Sequence, residues 1–216
     1  MLLAWILAFI IAITVHEAAH AYMADRLGDP TAKLMGRLSL NPIVHYDKVG
    51  TTLLVFTTAL TFLGLAPFPF GWAKPVQFDP YNLRNPRRDS ALISLAGPGT
   101  NLLVAFILSL VVRLAQNPFS PFFALAGFLV PIILLNVVLA IFNLIPIHPL
   151  DGGKILVGLL PEKEAHDVDI FLRRYGMILL FLMIFPTFGG VSPISALVGP
   201  AVGFVLRLLL PGAPIL

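Results

Sequence analysis

The chain has 216 residues, 58% of them hydrophobic and 12% charged, with a formal net charge of +3 and no cysteine. Soluble domains average about 25% charged residues, so an ordinary soluble domain is excluded and an integral membrane protein is expected. The lack of cysteine excludes a disulfide framework and a thiolate metal site. The basic residues lie in short loops, as topology signals rather than a nucleic-acid-binding patch.

The first apolar stretch, 2–22, is uncharged up to Val15 and then runs into "HEAAH" at 16–20. A cleaved signal peptide, with Ala19-His20-Ala21 as its cleavage site, is disfavoured because no Lys or Arg precedes Arg26 to form a basic n-region. The loop 23–48 follows, and within it Lys33 to Leu40 alternates as a short strand would, with Leu34, Gly36, Leu38 and Leu40 on one face. Residues 49–66 are apolar but short and threonine-bearing, and "APFPFGWAKP" at 66–75 offers a turn. A re-entrant segment is expected there, since non-helical backbone at membrane depth is tolerated when protein or a watery cavity surrounds it.

Four more apolar stretches follow: 90–115, 122–146, 175–189 and 194–210. The connectors 116–121 and 187–193 carry no charge, whereas the loops 23–48, 67–89 and 151–174 hold nearly all of it. The positive-inside rule places those three loops in the cytoplasm. Residues 161–174 are charged and partly amphipathic, which suits a helix on the cytoplasmic surface. The expected fold is therefore an all-α membrane protein with about five transmembrane helices, a re-entrant segment at 49–66 and a short β element. It forms one domain over 1–216, with a core at about 1–155 and accessory helices at about 161–210.

His16 and His20 are four residues apart, so on a helix both imidazoles project from one face and can reach one tetrahedral Zn2+. Glu17, next in sequence, is placed to act on a water as general base. Without a metal, Glu17 would sit unpartnered in a membrane helix at a cost of roughly 2–3 kcal/mol or more. A catalytic zinc needs a third protein ligand, and the candidates are Asp25, His45, Asp47, His148, Asp151 and His166. Asp25 follows His20 too closely to share its face, and His45, Asp47 and His166 lie in hydrophilic loops. Asp151 fits best. Pro146 and Pro149 break the helix before it, and Gly152 and Gly153 permit a close backbone approach behind it.

HEAAH, "LAGPGTN" at 95–101 and "NLIPIHPLDGG" at 143–153 together resemble the site-2 protease family of intramembrane zinc metalloproteases. "GDPTA", "GRLSLNP", "GWAKPV" and "NLRNPRRD" are similar to its short microbial branch, which has no PDZ or CBS domain. The resemblance covers about residues 10–155. It implies that His16, His20 and Asp151 ligate one Zn2+ per chain and that Glu17 activates water. It further implies that Asn101 helps to hold substrate, although an interhelical hydrogen bond is an equally plain role, and that Asn143 lines the site. His148 departs from the family pattern, which has proline or an apolar residue there; it reads best as a passenger. The implied activity is hydrolysis of peptide bonds within or beside transmembrane segments of membrane-protein substrates, with the site towards the cytoplasmic face of the plasma or inner membrane. The 33–40 strand would hold an unwound substrate by strand addition. The alternative is a membrane metal-ion transporter with a helix-borne HExxH site, but such proteins often carry repeats and ligands on broken helices in both halves, and this chain has neither.

Overall fold

The computed structural model describes residues 2–63, 71–115, 123–185 and 192–210. They form eight α-helices: α1 (Leu2–Leu27), α2 (Thr31–Leu34), α3 (Gly50–Phe62), α4 (Pro86–Ala115), α5 (Phe123–Asn143), α6 (Asp151–Leu159), α7 (Glu162–Ile184) and α8 (Pro193–Leu209). Two single 3-10 turns, Pro42–His45 and Pro80–Asn82, punctuate the loops.

Small residues set the packing. On α1, Ala4, Ala8 and Ala12 recur every fourth position, and Ala21 and Ala24 continue beyond them; all are buried. A stripe of this kind lets neighbouring helix backbones approach closely, the usual device where lipid removes the hydrophobic drive for association. α1 accordingly packs against both α4 and α5. A second apolar core joins α4, α5 and α8 through Ala105, Val112, Ile133, Val137, Val202 and Leu206. The outward faces are also apolar: Leu3, Leu7 and Ile11 of α1 are exposed, as are Leu103, Phe106, Leu110 and Leu114 of α4. Apolar residues on both sides of a helix are consistent with membrane association.

The expectation of about five full spans with a re-entrant segment and a β element is overturned. Among the described residues, two helices are long and apolar enough to cross a membrane, α1 and α4. The reasons are local. Helix α8, Pro193–Leu209, falls in the shorter class; at 1.5 Å per residue it reaches about 25 Å against a core of about 30 Å. The surface helix expected at 161–174 and the span expected at 175–189 are one helix, α7, whose first half is charged. That leaves too short an apolar run to span. α3 has 13 residues, about 20 Å of helix. The first half of the turn expected at 66–75 lies outside the described residues, as do the connector 116–121 and most of 187–193.

No strand occurs among the described residues. The segment expected to be one, 33–40, begins instead inside α2, and Gly36 then turns the chain at φ +71°. The Arg37 amide closes that turn on the Ala32 carbonyl at 2.8 Å, and the Arg37 guanidinium bonds the Val44 carbonyl. The alternation of leucines finds no partner sheet, and Leu34 and Leu40 are exposed.

Asp29 fixes this region. Its carboxylate is fully buried and accepts from the Thr31 amide (3.1 Å) and hydroxyl (2.6 Å), the Asp79 amide (2.8 Å) and the Asn82 side-chain amide (2.8 Å). The loop after α1 and the loop before α4 are thereby packed on each other at one end of the α1–α4 pair. Burial works against the charge of Asp29, but the four donors outweigh it and hold the carboxyl below its usual range. The folded-state value is the depressed one, so this stabilisation is present above the ordinary carboxylate range near about pH 4 and is lost as pH falls below that range through the lowered folded-state value. Asp29→Ala should destabilise the protein by about 2–4 kcal/mol, read as a lower melting temperature in detergent. Asp25→Ala, which removes a solvent-facing pair with Lys33, should cost less than about 1 kcal/mol.

Candidate metal centre

The polar end of α1 carries His16 and His20 on one face, with ring centroids 4.6 Å apart and planes nearly perpendicular. Helix α4 holds both rings from behind. The Nδ1–H of His16 donates to the Asn101 Oδ1 at 3.2 Å, and the Nδ1–H of His20 donates to the Ile93 carbonyl at 2.7 Å. Asn101 is fully buried, and its Nδ2 donates to the Ala12 carbonyl at 3.3 Å, which fixes the amide so that its oxygen faces His16. Each acceptor takes the Nδ1 proton, so each neutral ring presents a bare Nε2 lone pair on its other side.

Those lone pairs meet a carboxylate. Asp151 Oδ2 lies 3.2 Å from His16 Nε2 and 3.3 Å from His20 Nε2. Asp151 opens α6 after a non-helical break, 144–150, that follows the end of α5. Short turns carry the break, including Ile147 N to Ile145 O at 2.8 Å and Leu150 N to Ile147 O at 2.9 Å. The glycine pair behind Asp151 is required sterically. A Cβ on Gly152 would fall 2.2 Å from the Ile145 carbonyl oxygen, and one on Gly153 would fall 2.8 Å from His148 Nδ1. The donor atoms of His16, His20 and Asp151 all lie within 4.8 Å of one another. Two lone pairs and an anionic oxygen converging in a buried place repel one another unless a cation lies between them. Two imidazoles and one carboxylate, with a further position open, are the donor set that Zn2+ takes in catalytic sites. The residues present fit that ion.

Glu17 stands beside this cluster and is not one of its ligand atoms. Its Oε2 accepts the Val76 amide at 2.9 Å, so the extended segment before α4 reaches across to the helix that carries the histidines. Asn143 closes α5, and its side-chain amide donates to the Leu139 carbonyl at 3.0 Å within the same helix. The other candidate ligands are engaged elsewhere. Asp25 pairs with Lys33, His45 donates to the Ser39 carbonyl, and Asp47 accepts from the Val49 and Gly50 amides to start α3. His148 Nε2 meets Asp169 at 3.2 Å, tying the break to α7, and the Arg173 Nε–H donates to the same carboxylate. His166 lines a separate polar cavity.

Three contributors escaped the sequence reading, the Val76 amide, the Ile93 carbonyl and Gly97, whereas Asn101 makes the interhelical hydrogen bond weighed for it. Backbone groups leave no trace in residue identity. Gly97 does, within "LAGPG": a Cβ there would lie 2.5 Å from His20 Nε2 and 2.7 Å from His16 Cε1. The glycine is the gap through which α4 approaches the two rings.

The sequence matches Peptidase family M50 over residues 4–125 and 113–183. It is 38% identical to YwhC of Bacillus subtilis, a zinc-metalloprotease candidate by name, over 84% of this chain and 80% of that one. Rip2 of Mycolicibacterium smegmatis, likewise a candidate by name, is 32% identical over 74% of this chain, which spans 58% of its length. Zinc metalloprotease MJ0392 of Methanocaldococcus jannaschii is 26% identical over 75% of this chain and 37% of its own. No solved structure gives a significant match.

The Gly97 contact yields a sharp expectation. Gly97→Ala should gain helix propensity by about 1 kcal/mol yet weaken zinc binding by about 10–100-fold, because the methyl displaces both rings. Gly99→Ala, where a Cβ meets nothing within 4 Å, should leave binding unchanged. Zinc titration of the purified variants against a competing chelator reads both.

Proposed function

The chain belongs to peptidase family M50, and from that membership we propose that it is an intramembrane zinc endopeptidase cutting peptide bonds within or beside transmembrane segments of other membrane proteins. The observation that carries the reading is the convergence of His16 Nε2, His20 Nε2 and Asp151 Oδ2 at the end of an apolar helix. In this reading the three residues hold one Zn2+ per chain, which supplies Lewis acidity to a scissile carbonyl and to a water. Glu17 is the general base: with Oε2 steadied by the Val76 amide, Oε1 takes a proton from the attacking water and passes it to the leaving amine. Asn101 and the Ile93 carbonyl keep the imidazoles in the tautomer and orientation that leave Nε2 bare. Asn143, at the mouth of the break, lines the substrate side.

A helical substrate hides its carbonyls in its own hydrogen bonds, so it must unwind before cleavage. The segment 71–79 supports an extended binding mode. Its Trp72 and Lys74 amides face the Gly50 and His45 carbonyls, and the alternate edge of the same backbone is turned away from them. The whole chain acts as one membrane-embedded domain, with the catalytic residues inside about 1–155 and the C-terminal helices as accessories. The site faces the cytoplasm, because the two loops joined by Asp29 and the helix ends beside them carry Arg26, Lys33, Arg37, Lys74, Arg84, Arg87 and Arg88.

Glu17→Gln should retain one zinc per chain and lose at least about 100-fold in cleavage rate of a helical membrane substrate. His16→Ala and Asp151→Ala should lose both metal and activity. Undiminished proteolysis by Glu17→Gln would remove the assignment. Topology has its own check: the chain has no cysteine, so single cysteines at Lys33 and Arg87 report unambiguously. Both should be labelled from the cytoplasmic side in intact cells; labelling from the outer side would overturn the orientation.

A further inference from the structure

A second feature adjoins Glu17. Between α1 and α3 lies an apolar cavity of about 260 Å³. Its α1 wall is formed by Ile6, Ile10 and Ile13, spaced four and three residues apart, and the next step of that face is Glu17. The cavity is thus the continuation of the face that presents the carboxylate, and its near end is one helical turn away, about 5–6 Å. The opposite wall makes the same connection. Ala73 lines the cavity, and three residues on Val76 holds Glu17. The backbone between them is pinned by the Trp72 amide on Gly50 O at 3.3 Å and the Lys74 amide on His45 O at 3.0 Å. One short extended segment therefore borders both the cavity and the carboxylate.

The lining contains one polar group without a partner. His45 is 2% exposed, and its Nε2 lies 2.9 Å from the Ser39 carbonyl oxygen. A carbonyl only accepts, so the ring proton is on Nε2, and in the neutral ring Nδ1 is an acceptor. That Nδ1 is buried with no hydrogen-bond partner among the described residues. Turned towards the apolar cavity that its residue lines, this unused acceptor would suit a ligand that brings one N–H together with apolar bulk. A lipid acyl chain brings no N–H. A peptide residue with a branched-aliphatic or aromatic side chain brings both.

We propose that this cavity is the side-chain subsite that selects the cleavage position: it receives a large apolar residue next to the scissile bond, whose backbone N–H is accepted by His45 Nδ1. The proposal rests on the endopeptidase reading above. It makes His45, Leu54 and Ala73 specificity-determining residues, and it turns the motif "NPIVH" at 41–45 from loop sequence into a recognition element.

The test uses full-length protein in detergent or vesicles and a transmembrane substrate in which the residue beside the cut is varied through Gly, Ala, Leu and Phe. The wild type should prefer Leu or Phe over Ala by at least about tenfold in kcat/KM. Ala73→Phe, which fills the cavity, should reverse that order while zinc content stays at one per chain. Leu54→Ala, which enlarges it, should move the preference from Leu to Phe. His45→Ala should raise KM for every substrate in the series, with a smaller effect on kcat. In zinc-loaded Glu17→Gln, a photoreactive side chain at Ile10 should crosslink to the residue beside the cut. Equal Leu-to-Ala ratios in wild type, Ala73→Phe and Leu54→Ala, or crosslinking to lipid alone, would overturn the subsite and leave the protease standing. Absence of any Glu17-dependent cleavage by the wild type would instead overturn the protease reading, and the subsite with it.

Discussion

The constraint on which the rest depends is the placement of two imidazole lone pairs and a carboxylate oxygen within 4.8 Å of one another on the buried face of an apolar helix. Nothing in α1 alone achieves it. The histidines supply spacing, but an imidazole on a helix swings about χ1 and χ2 and has two tautomers. Helix α4 removes both freedoms by accepting the Nδ1 protons through a side chain, Asn101, and a main-chain carbonyl, Ile93. That contact demands close approach, which a stripe of alanines on α1 and Gly97 on α4 provide. The small residues of the helix interface are therefore part of the metal centre.

The third ligand comes from a place where helix is abandoned. A carboxylate projecting from the middle of α5 would have neither the reach nor the stiffness to face both rings. By ending α5 at Asn143 and starting α6 at Asp151, the chain brings the acid in at a helix N-terminus, where backbone amides favour its ionised form. The break leaves backbone polar groups that lipid would not satisfy, and the successive turns between 142 and 153 satisfy several of them. His148, which departs from the motif, has a structural task at this point: through Asp169 it clips the break to α7.

The centre was legible in the sequence because its signals are side chains with fixed spacing. HEAAH shows a helix face directly, and an acid preceded by two prolines and followed by two glycines shows a break with something to present. Helix lengths were not legible. Apolar composition does not reveal where a helix ends, and α8 stops short of the bilayer thickness that its hydropathy suggested. Nor did hydropathy reveal that the charged stretch 162–174 and the apolar one after it are a single helix. The strand expected at 33–40 failed for a related reason. Alternation is a necessary pattern for a half-buried strand, but pairing requires a partner, and Asp29 at the head of α2 commits the same residues to a helical turn. Backbone contributions such as the Val76 amide have no sequence signature at all.

An enzyme that cuts peptide bonds in a membrane must bring water and an apolar substrate to the same atom from different sides, and the segment 71–79 stands where they divide. Ala73 borders the apolar cavity beside α3. Val76, Gln77 and Phe78 border a far larger polar cavity of about 1170 Å³, whose wall includes Asn85, Arg88 and Asp169. Lys154 also lines that polar side, one turn beyond Asp151, with its ammonium 4.7 Å from the Phe78 ring centre. Burial pushes the Lys154 pKa down, against the opposing pull of Asp151 and Glu17. Glu17 occupies the junction, held by the one amide of the segment that turns towards it. In the proposed reaction, a base at that position would take water from the side of the polar cavity and a scissile bond from the side of the apolar one. The two phases need not mix, and α1 can remain in lipid along the rest of its length.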